Sequence, residues 1–137
     1  MSLVLDASVT LAWIYGAETT DAVRTVFEHI HQGGAWVPGI WRLEVANGLR
    51  RGIAQKRITF AFRDEALADL MDLQIAIDSE TGVYAWTTTL MLSDRFQLTP
   101  YDASYLELAQ RHDLPLATLD GELRKGAEAI GVELLGM

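Results

Sequence analysis

Leu3-Val4-Leu5-Asp6-Ala7-Ser8 decides the fold. Three consecutive apolar residues read as a short strand buried on both faces, not as an amphipathic one. A helical pattern takes over from about Ser8 to Tyr15, so Asp6 falls at a strand-to-helix junction. The same alternation continues down the chain. Short apolar runs recur at Ala35-Trp36-Val37, Ile75-Ala76-Ile77, Leu116-Ala117-Thr118-Leu119 and Val132-Glu133-Leu134-Leu135. Helical patterns separate them. One runs from Ala22 to about His31, with Thr20 or Asp21 as its cap and Gly33-Gly34 ending it. Others run from Ile40 to Gln55 after Pro38-Gly39, from Thr59 to Leu73, and from Thr81 to Phe96. Thr99-Pro100 opens a helix to about His112, and Asp120 opens one to about Ala129. Strands alternating with helices predict an α/β domain of three layers, with a five-stranded, mostly parallel sheet covered on both faces. In such sheets the site lies beyond the C-terminal strand ends, where the strand order reverses.

Composition narrows the function classes. At 137 residues, half of them hydrophobic, the chain suits one domain over residues 1–137. No basic stretch followed by a long apolar run marks a signal peptide. No apolar run reaches the ~18 residues of a membrane span. The absence of cysteine excludes disulfides, thiolate zinc and thiol catalysis, and is compatible with the cytoplasm. A net charge of −8 argues against a protein that coats nucleic acid by charge alone. Arg42, Arg50, Arg51, Lys56 and Arg57 nevertheless supply five of the 11 cations in one stretch. They read either as solvated helix surface or as contacts to RNA phosphates.

Four acids stand out from the 19 present. Asp6 follows the first strand and Asp120 the fourth, and each also suits a helix cap. Asp102 lies three residues after Thr99, where a capping box or the helix dipole explains an acid equally well. Glu44 has no such role. It sits inside a helix between Leu43 and Val45, with Asn47 and Arg51 on its side. Carboxylates gathered at one sheet edge repel one another and demand a cation. An all-oxygen donor set suits Mg²⁺ or Mn²⁺, ions that promote phosphodiester hydrolysis.

Four segments resemble the motifs of PIN-domain ribonucleases, in order along the chain. They are Val4-Leu5-Asp6-Ala7-Ser8-Val9, Val37-Pro38 with Trp41 to Leu49, Leu98 to Ala109, and Leu116 to Leu123. The block Tyr101-Asp102-Ala103-Ser104-Tyr105-Leu106 and the short chain are similar to VapC toxins of toxin–antitoxin pairs. The resemblance implies a PIN-like sheet with a Mg²⁺ or Mn²⁺ site held by Asp6, Glu44, Asp102 and Asp120. It implies cleavage of single-stranded RNA by metal-activated water, a homodimer, and inhibition by a VapB-type antitoxin protein. Ser8, Asn47 and Thr118 match positions that support the site in such proteins.

Other features read blandly. His29 and His31, two apart on a helix, point in different directions and make no metal pair. Trp13, Trp36, Trp41 and Trp86 suit core or interface packing more than base stacking. Val83, Tyr84, Trp86, Leu90, Met91 and Leu92 make the 81–96 helix apolar around much of its circumference, which predicts burial against another element or chain. Two alternatives compete with the nuclease. One is a phosphohydrolase using Asp6 as nucleophile, for which Ser8 stands where a second aspartate is needed. The other is an inactive interaction module, against which the four retained carboxylates count.

Overall fold

Leu3, Val4 and Leu5 are fully buried, as a strand covered on both faces must be. The computed structural model describes residues 2–137 and places this strand, β1 (Leu3–Leu5), at the centre of the sheet. Its partners are β2 (Ala35–Val37), β3 (Ile75–Ile77), β4 (Leu116–Ala117) and β5 (Leu134–Leu135). The order is β3-β2-β1-β4-β5, and every neighbouring pair is parallel. The sheet is therefore parallel throughout, where the sequence predicted mostly parallel. Successive strands step outward from β1 to β3, then the chain returns to the other side of β1. That reversal opens a crevice beyond the C-terminal ends of β1 and β4.

Parallel neighbours need crossovers, and helices supply them. They are α1 (Ala7–Ile14), α2 (Asp21–Gly33), α3 (Trp41–Ala54), α4 (Phe60–Met71), α5 (Thr81–Tyr84), α6 (Thr88–Phe96), α7 (Pro100–His112) and α8 (Gly121–Ala129). Side-chain caps start four of them: Thr20, Thr59, Thr99 and Asp120 accept from Val23, Phe62, Asp102 and Leu123 N–H respectively. The strands at 116 and 132 are shorter than expected. The β4 ladder stops at Ala117, and just beyond it Thr118 gives its N–H to the Leu135 carbonyl and its hydroxyl to Asp6.

Two packing features position the crevice. The stretch Ala103–Ala109 of α7 is buried all round, including Tyr105, Leu106 and Leu108 at 0% exposure. The α1 and α3 helices approach closely through two glycines. A Cβ at Gly52 would lie 2.0 Å from the Tyr15 hydroxyl, and one at Gly48 would lie 2.4 Å from a Leu11 methyl. Tyr15 completes the clamp by donating to the Gly48 carbonyl at 3.0 Å.

Within α7, the buried Glu107 is held by Arg111 at 2.8 Å, and the same guanidinium reaches Asp78, just past β3, at 2.6 Å. It also lies over the Tyr84 ring at 4.6 Å. The end of β3 and α5 are thereby tied to the last turn of α7.

The predicted helix 81–96 is two helices, a correction with a local cause. Thr87 adopts φ −115°, ψ −100°, and its hydroxyl bonds the Tyr84 carbonyl, in competition with the helical backbone. The apolar face of this segment is covered only in part within the chain: Leu92 is buried, while Val83, Trp86, Leu90 and Met91 are exposed, Trp86 by 90%. The other tryptophans pack. Trp13 stacks on Phe27, Trp36 on His112, and Trp41 donates its indole N–H to Thr10 at 3.1 Å. Among the described residues, no helix is long and apolar enough to cross a membrane.

Candidate active site

The residue after β1 is Asp6, and only 5% of it is exposed. It occupies the N-cap position of α1, yet its side chain makes no capping hydrogen bond. Its Oδ2 instead accepts two hydroxyls, Ser8 Oγ at 2.7 Å and Thr118 Oγ1 at 2.7 Å. Those hydroxyls are themselves fixed by backbone N–H groups. Leu119 donates to Ser8 Oγ at 3.0 Å, and Asp120 donates to Thr118 Oγ1 at 3.1 Å. A continuous network thus stitches the end of β1 to the end of β4. The supporting residues Ser8 and Thr118 meet the acid directly.

Glu44 sits one turn into α3, half-buried, and accepts the Tyr105 hydroxyl on Oε1 at 2.5 Å. Asp102 lies in the first turn of α7, one turn before Tyr105, while Thr99 does the capping there. Asp120 caps α8 through Oδ1 and keeps its other oxygen out of that bond.

These acids feel one another. Burial raises the Asp6 carboxyl above its ordinary value of 3.8. The Ser8 and Thr118 hydroxyls oppose that rise, and the Asp102 charge adds to it. Glu44 is raised by burial and, against the Tyr105 hydrogen bond, by the charges of Asp6 and Asp102. Asp102 is raised by burial and then by Asp120. Asp6, Glu44 and Asp102 thus each lie within electrostatic reach of another of the four acids.

The donor chemistry fits a divalent cation. The ligands on offer are carboxylate oxygens that repel one another, two of the acids being held by hydroxyl hydrogen bonds on one oxygen. The cage is not preassembled: among the described residues, no three His, Asp or Glu side chains come together as a ready metal-binding group. Carboxylates near one another repel, and a bound cation would relieve that repulsion.

The remaining candidates are more dispersed. Asn47 is exposed one turn along α3 from Glu44. Arg42, Arg50 and Arg51 are exposed on α3, but they form no single strip. At 3.6 residues per turn, Arg42 and Arg51 point ~180° apart. Arg51 faces the α1 side, near Leu11, Tyr15 and Gly52. Arg57 is engaged by Glu18 at 2.9 Å and lies over the Tyr15 ring. Sequence reasoning overlooked the contact between Tyr105 and Glu44. An aromatic in an apolar stretch of helix reads as core, and so it is; its position three residues after Asp102 was the available signal, since such residues share a helix face.

The PIN domain family model matches residues 3–129. A crystal structure of PAE2754 from Pyrobaculum aerophilum superposes with a TM-score of 0.71, covering 98% of this chain and 89% of that one at 21% identity. At that identity the likeness is one of fold. No curated protein matched the chain.

Proposed function

This chain belongs to the PIN domain family, and on that premise we propose that it is a metal-dependent endoribonuclease acting on single-stranded RNA. The observation that supports the reading is the hydrogen-bond network at the strand-order reversal, in which Ser8 and Thr118 hold Asp6 and the Asp120 N–H holds Thr118, while Glu44 is held by Tyr105, one turn after Asp102. Asp6, Glu44, Asp102 and Asp120 are the residues that would hold Mg²⁺ or Mn²⁺. When bound, such an ion neutralises phosphate charge and makes a water acidic enough to act as nucleophile.

The chain's own groups prepare that chemistry. Ser8 and Thr118 occupy one oxygen of Asp6 and leave Oδ1 available. Asp102 and Asp120, on the first turns of α7 and α8, bring charge from the far wall of the crevice. Of the exposed arginines on α3, Arg51 shares the Glu44 side of the helix and is the one whose direction suits an RNA phosphate at the crevice, whereas Arg42 and Arg50 point elsewhere around α3.

The biological setting is part of the same proposal: a VapC-type toxin of the cytoplasm, dimeric, and silenced by a VapB-type antitoxin. Exposed Val83, Trp86, Leu90 and Met91 support the homodimer, because contiguous apolar surface of this kind marks an interface. The test is cleavage of total RNA with mapped 5′ ends in Mn²⁺, wild type against Asp102→Asn. Discrete new ends with wild type alone are expected. Equal cleavage by both proteins, or by neither, refutes the assignment.

A further inference from the structure

The hydroxyl of Tyr105 is a neutral donor that meets one of the four acids, Glu44. The Tyr105 side chain is wholly buried, and its single proton goes to Glu44 Oε1 at 2.5 Å. That bond ties the middle of α7 to the acid in the first turn of α3. A buried phenol needs a partner, but a backbone carbonyl serves that purpose in most cores. Here the partner is a carboxylate, which makes the bond charge-assisted and strongly directional.

A pattern links the two acids. Asp6 has its Oδ2 taken by neutral hydroxyls and its Oδ1 left over. Glu44 likewise has its Oε1 taken by a neutral hydroxyl and its Oε2 left over. Neutral donors hold like-charged groups near each other without adding a countercharge that would compete with a cation. We propose that Tyr105 is a positioning residue that fixes which oxygen Glu44 presents to the crevice, and so sets the affinity of the site for a divalent cation. The inference rests on the metal-site reading above and adds to it a residue on the buried face of α7. Groups that orient a ligand in this way typically change metal affinity ~10–100-fold when removed.

The experiment is calorimetric titration of Mn²⁺ into metal-free protein, paired with RNA cleavage measured across Mn²⁺ concentrations. Tyr105→Phe keeps the ring and removes the donor. Its Mn²⁺ dissociation constant should rise ~10-fold or more. Its cleavage should fall steeply at limiting Mn²⁺ and much less at saturation, a shift a purely structural residue would not give. In a Glu44→Ala background, Tyr105→Phe should weaken Mn²⁺ no further. A wild-type dissociation constant in Tyr105→Phe, or an undiminished effect in the Glu44→Ala background, overturns the inference. One measurement is independent of whether the variant folds. The ring-carbon resonance of Tyr105 in the wild type should shift as Mg²⁺ is titrated, and a resonance that stays fixed while the ion binds also overturns it. If the wild type binds neither ion, the metal-site reading fails and takes this inference with it. If the wild type binds and cuts while Tyr105→Phe matches it, only this inference fails.

Discussion

Asp6 illustrates how one side chain serves packing and chemistry at a cost. Its carboxylate is buried, and its proton affinity is raised by that burial and by Asp102. Glu44 and Asp102 are raised as well. An acid whose pKa is higher folded than unfolded binds its proton more readily in the folded state. Stability in EDTA should therefore rise as pH is lowered from neutral toward the ordinary carboxylate values of 3.8 to 4.5. Asp78 runs the opposite way. Burial works against its charge, but Arg111, the Glu80 N–H and Thr81 together hold its carboxyl below 3.8. Its contribution is present above that value and is lost as pH falls through its lower folded pKa, so the stability curve should turn over there. Asp6→Asn should flatten the rise, leave the metal-free protein at least as stable at pH 7, and reduce Mn²⁺-dependent cleavage by more than ~100-fold, beyond what loss of a supporting group costs. Thermal melts against pH and a cleavage time course check both halves. A variant that melts lower than wild type throughout would contradict the electrostatic account. Asp6 was legible in the sequence as an acid at a strand end. That its carboxylate makes no cap was not, because the choice depends on Thr118, from the far end of the chain.

At the scale of elements, α7 connects the crevice to the sheet edge. Its first turn carries Asp102, its middle carries Tyr105, and its last turn carries Arg111 between Glu107 and Asp78. Both carboxylates of that ion cluster are buried, so Arg111→Ala leaves them without a countercharge. The expected loss is ~3–5 kcal/mol in denaturant-monitored unfolding. A loss near zero would mean that water or a neighbouring cation replaces the guanidinium. The pairing of Glu107 with Arg111 is readable from a spacing of four on a helix. Asp78 is not, because it arrives from β3 by tertiary folding. The same limit explains the 81–96 segment. Its hydropathy is continuous across Ala85-Trp86-Thr87, but Thr87 leaves helical backbone geometry there, and periodicity carries no signal for that. β1, β2 and β4 were legible because buried parallel strands are short apolar runs, whereas β3, at the sheet edge, is largely exposed rather than covered on both faces as expected.

For the whole molecule, the strand order was the part of the fold that spacing could frame but not fix. Alternating strands and helices require crossovers, whereas the reversal between β1 and β4 depends on which faces pack best. The exposed apolar surface of α5 and α6 gives the prediction at this scale. If the homodimer forms there, Trp86→Glu should convert a dimer to a monomer in light scattering while keeping the folded circular-dichroism spectrum, and its melting temperature should lose any dependence on protein concentration. A wild type that is already monomeric, or a variant that remains dimeric, would move the interface elsewhere. The reversal at β1 has one more consequence. Thr118 reaches Asp6 across 112 residues, so the two halves of the crevice leave the ribosome far apart in time. At ~5–20 residues per second, that interval is roughly 6–22 s. Throughout it the emerging polypeptide lacks a complete set of acids, however well its first strands have paired. The proposed nuclease is thus incomplete until Thr118 and Asp120 have left the ribosome.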